Sequence, residues 1–519
     1  MGGDGAIPKE GRAAARAFMD RLDRLTTAIY PHEIAPDCGP DPDFTLDSWA
    51  VISPVLVGLF RLTVQVLRPY VVVALFVLAG LGISSVYCAT AGAALLAYLC
   101  FFDPAFRQAV LTHGVPAMPP GLYCQSTPRT GAIISMVPAL QSPHYRGTPW
   151  IFGGDMATIY PFLAFSLPSI EYVRRWLTVD ADNTKQKRAS RGLSGDKDVS
   201  DETFDGSPYA KINGDAADDE NGDTGGSCDD KEAVAMDVAL PDTGLDPSKP
   251  FYIVLHGLNG GSTDSFTLDF ATNALKRGCG VCVMINRGCM KTPVRGQNMF
   301  HGARISDVTS AMKTLRQSLP AGVPIAMVGF SMGGVIAANY AASLGGDSGL
   351  SCCVSMSGSL DTRVKMSARS VRSWQPMLAL GLKEHVVTHT KKIAARGIDL
   401  SKVASCRNVV EFETNVVAPY NGYPSVMDYY ADMSAAAEGK LARLRTPMLA
   451  VLAADDPIIT SSGTPMEELG KIDKLLVLVT RTGGHVGWPT GWFPTRNKWS
   501  WMSSTSLDFC EAAVATAHM

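Results

Sequence analysis

The 519-residue chain is 46% apolar and only 18% charged, against roughly 25% charge in an ordinary soluble protein. This excludes a largely disordered chain, leaves room for a large core, and points to a part that sits in lipid. A net charge of −3 gives no basis for nucleic-acid binding. Twelve cysteines are scattered, and Cys88, Cys100, Cys352 and Cys353 stand inside apolar runs, so no disulfide framework is expected.

Residues 1–48 place Arg12, Arg16, Arg21 and Arg24 on an expected amphipathic helix, followed by a Pro- and Asp-rich stretch over 31–44. No small-residue cleavage site follows a short apolar core, so this is not read as a signal peptide. Residues 71–102 contain no charged side chain. A bilayer core needs only about 20 apolar residues in a helix, and a buried core helix rarely runs this long without a polar face. Residues 49–103 are therefore expected to be a membrane anchor, either one tilted helix or a hairpin broken near Gly80-Leu81-Gly82. Arg61 and Arg68 precede the run and Asp103 follows it, which puts the N-terminal segment in the cytosol of an integral membrane protein.

Residues 104–182 hold Pro-rich connections, short apolar segments and an expected strand over 172–179. Residues 183–232 are rich in Asp, Gly, Asn, Lys and Ser and read as an acidic disordered insertion. A calcium loop there would need an Asp-x-Asp-x-Asp-Gly run with a closing Glu, which is missing. From Pro250 onward short aliphatic runs over 251–255, 281–285, 324–330, 351–357, 448–453 and 474–479 alternate with helical stretches such as 307–318 and 332–344. That alternation predicts an α/β fold, a mostly parallel sheet with helices on both faces. The domain is expected to comprise residues 104–182 and 233–519, with 361–445, rich in Met, Leu and Val, as a lid.

Gly329-Phe-Ser331-Met-Gly333-Gly334 lies between an expected strand and an expected helix. A sharp turn there needs small flanking residues, lifts the serine hydroxyl above the sheet edge, and aims a helix N-terminus at developing negative charge. Ser331 is the candidate nucleophile. It needs a base, and the base needs an orienting acid. His485, in Thr482-Gly-Gly-His485-Val-Gly-Trp488 just after the last aliphatic strand, is the candidate base. The acid is expected after the preceding strand, at Asp455-Asp456-Pro457. Asp456 is preferred, because Pro457 biases the residue before it toward one extended pose. Asp455 would then cap nearby backbone N–H groups. The oxyanion donors are expected to be the backbone N–H groups of Met332 and of Leu258, the latter in the glycine-rich loop His256-Gly-Leu-Asn-Gly-Gly261. His256 itself is read as shaping that loop. Cys279-Gly-Val-Cys282 has no second ligand pair at zinc spacing, so two thiols at a strand start are expected, with no metal and no cofactor.

The order Ser331, Asp456, His485 is that of the α/β-hydrolases. More narrowly, the chain resembles the membrane-anchored α/β-hydrolase-domain-containing lipases, a group that includes phospholipases and acylglycerol lipases. The residues that carry the resemblance include Tyr145-Arg-Gly-Thr-Pro-Trp150, His256-Gly-Leu-Asn-Gly-Gly-Ser262, Asn286-Arg-Gly288 and Gly329–Gly334. They continue with Ala418-Pro-Tyr-Asn-Gly-Tyr423, Asp428-Tyr-Tyr430, Ala454-Asp-Asp-Pro457 and Gly483-Gly-His-Val-Gly487, so the match spans roughly residues 145–515. Two departures stand out: the 183–232 insertion falls where the group has a short hairpin, and the loop after Gly288 reads Cys-Met-Lys-Thr-Pro. The resemblance implies a membrane-bound carboxylic ester hydrolase whose partners are the membrane and a lipid ester substrate. A catalytically inactive scaffold or receptor, and an acyltransferase using the same triad, are the alternatives.

Overall fold

The computed structural model describes residues 9–28, 48–80, 119–141, 145–180, 231–292, 300–363, 369–387, 394, 397–459 and 466–519. Among these residues nine strands form one sheet: β1 (Gly121–Cys124), β2 (Val173–Asp180), β3 (Lys231–Ala239), β4 (Phe251–Leu255), β5 (Val281–Ile285), β6 (Ile325–Phe330), β7 (Cys352–Met356), β8 (Met448–Ala453) and β9 (Leu475–Thr480). Their spatial order is β1-β9-β8-β7-β6-β4-β5-β3-β2. Strands β4 to β9 pair in parallel, while β1 is antiparallel to β9, and β3 is antiparallel to both β5 and β2.

The parallel strands read as unbroken aliphatic runs because both of their faces are covered. Alternate residues feed two cores. Ile253 and Leu255 of β4 join one, with Phe18, Leu22, Val308, Leu315 and Ile336, whereas Tyr252 and Val254 join the other, with Phe266, Phe270, Leu507 and Phe509. The first core is closed by α1 (Lys9–Leu25), α6 (Ser306–Ser318) and α7 (Met332–Leu344), and the second by α5 (Ser265–Lys276) and α10 (Ser500–Ala515). Two further helices, α3 (Pro128–Met136) and α4 (Gly154–Ala164), precede β2.

The N-terminal helix is not a free segment. Phe18 is fully buried with its ring 5.3 Å from Phe251, Arg175 pairs with Asp23, and the backbone of Thr27 bridges Trp176 of β2. The amphipathic pattern expected for 1–48 thus lays its apolar face on the sheet itself. Strands β2 and β3 pair from Val173↔Val238 to Asp180↔Lys231, so the hairpin is intact on both sides of the expected insertion. The end of that insertion is corrected, since Lys231 and Glu232 belong to β3; the rest of 183–232 lies outside the described residues.

Helix α2 (Ser48–Gly80) packs its Gly58 against the Ser373 carbonyl and Pro376 of α8 (Arg369–Val387), and exposes Ile52, Leu56, Phe60, Leu67 and Val71. These positions, spaced by four, four, seven and four, line one face. The expected membrane run over 71–102 begins on this helix and continues outside the described residues. Among the described residues no helix is long and apolar enough to cross a membrane. The expected lid is a helical cap: α8, short turns over 400–420, and α9 (Val426–Met433). Its core of Val403, Phe412, Val416, Tyr420, Tyr429 and Met433 packs on Val335 and Met332, at the start of α7.

Candidate active site

The strand β6 ends at Phe330 and α7 begins at Met332, leaving Ser331 alone in the turn with φ 54° and ψ −120°. This left-handed conformation costs about 1–3 kcal/mol for a non-glycine residue and persists only where its surroundings over-determine it. Here the Ser331 N–H donates to the Met356 carbonyl at 2.8 Å. The turn also needs bare backbone. A Cβ on Gly333 would stand 2.1 Å from the Leu255 carbonyl oxygen, so glycine is what lets α7 approach β4.

Ser331 Oγ lies 2.7 Å from His485 Nε2, and His485 Nδ1 lies 2.9 Å from Asp456 Oδ2. Both partners are removed from water: the side chains of His485 and Asp456 are 7% and 2% exposed. The other carboxylate oxygen of Asp456 accepts from the N–H groups of Ile458 and Ile459 at 2.8 and 2.9 Å. The carboxylate is thus fixed from one side by backbone and turned toward the imidazole from the other. The three side chains expected from the sequence meet in one line.

Asp455 points elsewhere. Its Oδ1 accepts from the N–H of Gly484 at 2.9 Å, while its Oδ2 is buried without a hydrogen-bond partner among the described residues. Burial, with the neighbouring Asp456 charge adding to it, pushes the Asp455 carboxyl up to about 7.

The loop after β4 passes beside the nucleophile: a Cβ on Gly257 would be 3.5 Å from Ser331 Cβ. His256 is fully buried, with Nδ1 2.7 Å from the Gly257 carbonyl and Nε2 accepting from the Asn286 N–H at 3.1 Å. One ring nitrogen donates and the other accepts, so His256 ties its own loop to the end of β5 and is not turned to Ser331. Further along, Ser262 donates to Asp237 at 2.6 Å, and Arg174 grips the same carboxylate at 2.7 and 2.8 Å. Hence the hairpin β2–β3 braces the loop that carries Leu258. Met332, the other expected oxyanion donor, is the first residue of α7, where N–H groups lack intrahelical acceptors. Cys279 and Cys282 are both buried at the start of β5, and burial pushes the Cys279 thiol up to about 11.

Two contributors were not legible in the sequence. The N–H of His485 donates to Thr158 Oγ1 at 2.8 Å, and that of Val486 to Ser357 Oγ at 3.0 Å. Ser357 follows β7 directly, and its strand-end position is the one signal that could have found it, whereas Thr158 carries no local signal at all.

The family model for the alpha/beta hydrolase fold matches residues 252–487, from β4 to the loop of His485. YheT of Escherichia coli is 30% identical over 250 residues, covering 47% of this chain and 72% of that protein. The chain belongs to the α/β-hydrolase family. Within that family it is similar to a monoacylglycerol lipase of Saccharomyces cerevisiae, 28% identical over 258 residues, covering 48% of this chain and 57% of the yeast protein. It is also similar to the phospholipase ABHD3 of Mus musculus, 25% identical over 275 residues, covering 52% of this chain and 66% of the mouse protein. The chain spans a little over half the length of the yeast relative. The residues matched by the family model leave out α1 to α4 and α10.

Proposed function

We propose that the chain is a membrane-associated serine hydrolase that cleaves carboxylic esters of lipids, of the acylglycerol or phospholipid kind. The observation that carries this reading is the pair of contacts of 2.7 and 2.9 Å linking Ser331, His485 and Asp456 at a strained strand-to-helix turn. In the proposed reaction Ser331 Oγ attacks the acyl carbonyl while His485 Nε2 takes its proton. The N–H groups of Met332 and Leu258 receive the oxyanion. The tetrahedral intermediate collapses, His485 protonates the departing alcohol oxygen, and the acyl group stays on Ser331. Water then attacks the acyl-enzyme with His485 again as base, releasing the acid and restoring the serine. Asp456 stays ionised throughout, holding the Nδ1–H tautomer and stabilising the imidazolium. The names of the relatives, a monoacylglycerol lipase and a phospholipase, support an ester of a lipid as substrate.

Association with a membrane is supported by the charge-free run over 71–102 and by the apolar outer face of α2 that leads into it. The contacts of α1 with the sheet bear on how the chain engages the bilayer. A chain whose parts before and after the apolar run pack on each other has both parts on one side, which favours entry and exit from the same face over a single crossing.

Labelling with a fluorophosphonate tests the chemistry. Wild type is expected to label and to hydrolyse soluble p-nitrophenyl esters, and Ser331→Ala to do neither, with turnover lower by about a thousandfold or more. Ester hydrolysis at the wild-type rate by folded Ser331→Ala would refute the reading. A panel of monoacylglycerols, diacylglycerols and phosphatidylcholines then identifies the head group.

A further inference from the structure

The loop of His485 is strained. Val486 and Trp488 sit at φ 51° and 46°, a region that β-branched and bulky residues enter only when held there. Three successive amides are held by side chains from three different elements. Gly484 N–H donates to Asp455 after β8, His485 N–H to Thr158 of α4, and Val486 N–H to Ser357 after β7. Asp455 and Ser357 stand at strand ends within the matched part of the family. Thr158 does not, and it is the one that takes the N–H of the histidine itself.

Helix α4 and the loop touch backbone to backbone. A Cβ on Gly484 would stand 2.6 Å from the Gly154 carbonyl oxygen and 2.7 Å from Thr158 Oγ1, and a Cβ on Gly487 would be 2.2 Å from the Ala157 carbonyl oxygen. Thr158 is 1% exposed and donates its own hydroxyl proton to the Gly154 carbonyl at 2.7 Å, which turns an oxygen lone pair to the His485 N–H. At the first turn of the same helix, Asp155 accepts from the indole N–H of Trp374 at 2.8 Å. Trp374 belongs to α8 of the cap. Burial raises the Asp155 carboxyl above its ordinary range. The Trp374 hydrogen bond and the Arg68 charge pull it back, and the Asp456 charge pushes it up, so Asp155 lies within the field of the triad carboxylate.

We infer that α4 positions the catalytic imidazole: Thr158 fixes the backbone of His485, and Trp374 of the cap, through Asp155, fixes α4. The inference rests on Ser331, Asp456 and His485 acting as the triad. Nε2 stands 2.7 Å from Ser331 Oγ, and a shift of about 1 Å in a reacting group costs on the order of a hundredfold. Without Thr158 Oγ1 the His485 N–H would also be a buried donor with no acceptor, which drives the loop to rearrange.

Thr158→Val keeps the shape of the side chain and removes the acceptor; Thr158→Ser restores the acceptor; Trp374→Phe keeps a ring and removes the indole donor. Each is measured with a soluble p-nitrophenyl ester beside Ser331→Ala, with folding checked by thermal melting. Thr158→Val is expected to lower kcat about ten- to a hundredfold with KM within about twofold, and Thr158→Ser to stay within about threefold of wild type. Trp374→Phe should lower kcat about three- to tenfold, and the double variant should fall no further than Thr158→Val alone, because the two act along one path. Wild-type kcat in folded Thr158→Val, or losses that simply multiply in the double variant, would overturn the inference. Should Thr158→Val fail to fold, wild-type kcat in Trp374→Phe overturns it instead. Full activity in Ser331→Ala would bring down the triad reading, and this inference with it; an inactive Ser331→Ala leaves the other variants to decide about α4 alone.

Discussion

Two adjacent carboxylates with opposite environments give the sharpest test of the site. Asp456 faces His485 and is anchored by two backbone N–H groups. Asp455 faces the other way, with one oxygen on the Gly484 N–H and the other buried without a partner among the described residues. Asp456→Asn removes the charge that fixes the His485 tautomer, so kcat is expected to fall by about three to four orders of magnitude, or about 4–5.5 kcal/mol of barrier. Asp455→Asn keeps an acceptor for the Gly484 N–H, and kcat should stay within about tenfold.

The signature of Asp455 is in stability and its dependence on pH. Burial raises its folded carboxyl to about 7 from the ordinary 3.8. A group raised in the folded state contributes stability fully present below its unfolded value, and loses it as pH rises through the folded value. Each unit of difference is worth about 1.4 kcal/mol, so between pH 5 and pH 8 the wild type should lose about 2–3 kcal/mol that Asp455→Asn does not. In a domain of this size that is about 3–4 °C of melting temperature. Melting curves of both proteins across pH 5 to 8 check this: the variant should gain steadily on the wild type toward alkaline pH. Parallel curves would refute the raised carboxyl, and a collapse of kcat in Asp455→Asn with a near-normal rate in Asp456→Asn would move the triad acid by one position.

Gly333→Ala puts a methyl group 2.1 Å from the Leu255 carbonyl oxygen, against backbone that has no room to yield. Expression of folded protein and labelling at Ser331 should both fall sharply, and a soluble, labelling variant would show that the turn relaxes. Arg287 and Asp307 form a buried ion pair at 2.6 Å with side chains 0% and 4% exposed. Asp307→Asn should cost about 3–5 kcal/mol in chemical denaturation, since it removes the carboxylate charge paired with a buried guanidinium; a loss under about 1 kcal/mol would contradict this. Protease protection of sealed membrane vesicles, with tags before Lys9 and after Met519, should find both tags on the same side, and tags on opposite sides would contradict the packing of α1 on the sheet.

What was legible in the sequence was what the chain writes locally. Runs such as Phe251–Leu255 and Leu475–Thr480 announce strands covered on both faces, and all of their residues are buried. The serine turn, the Asp-Asp-Pro loop and the Gly-Gly-His loop were legible for a related reason, since each packs its chemistry into a few consecutive residues at a strand end. Contributions made across long separations were not. β1 is four residues that pair, among the described residues, with β9, from Gly121↔Val479 to Cys124↔Leu476, more than 350 positions along the chain, and β3 begins where the polar insertion ends. Helix α10 buries Ser503, Thr505 and Ser506 along with its apolar residues, so no polar face marked it out. The amphipathic pattern of α1 was visible, but nothing local says that its apolar face meets Phe251.

Backbone strain is distributed unevenly, and its distribution bears on why the site is held so tightly. Among the described residues, Asn259 in the loop after β4, Ser331 in the serine turn, Ser357 after β7, and Val486 and Trp488 around the histidine all have φ between 46° and 56°. Each such residue costs about 1–3 kcal/mol, a sum comparable with the whole stability of a typical domain. None can be there for the sake of stability. Ser331, Ser357, Val486 and Trp488 are instead held by hydrogen bonds. Ser331 N–H is on the Met356 carbonyl and Ser357 N–H on the Val451 carbonyl, while Trp488 N–H is on the Gly483 carbonyl with its indole N–H on Thr480. These anchors lie on or just after β7, β8 and β9, strands whose residues are all buried. The sheet thus holds these turns through hydrogen bonds near its C-terminal edge, while the N–H of His485 is taken from outside the sheet, by Thr158 of α4.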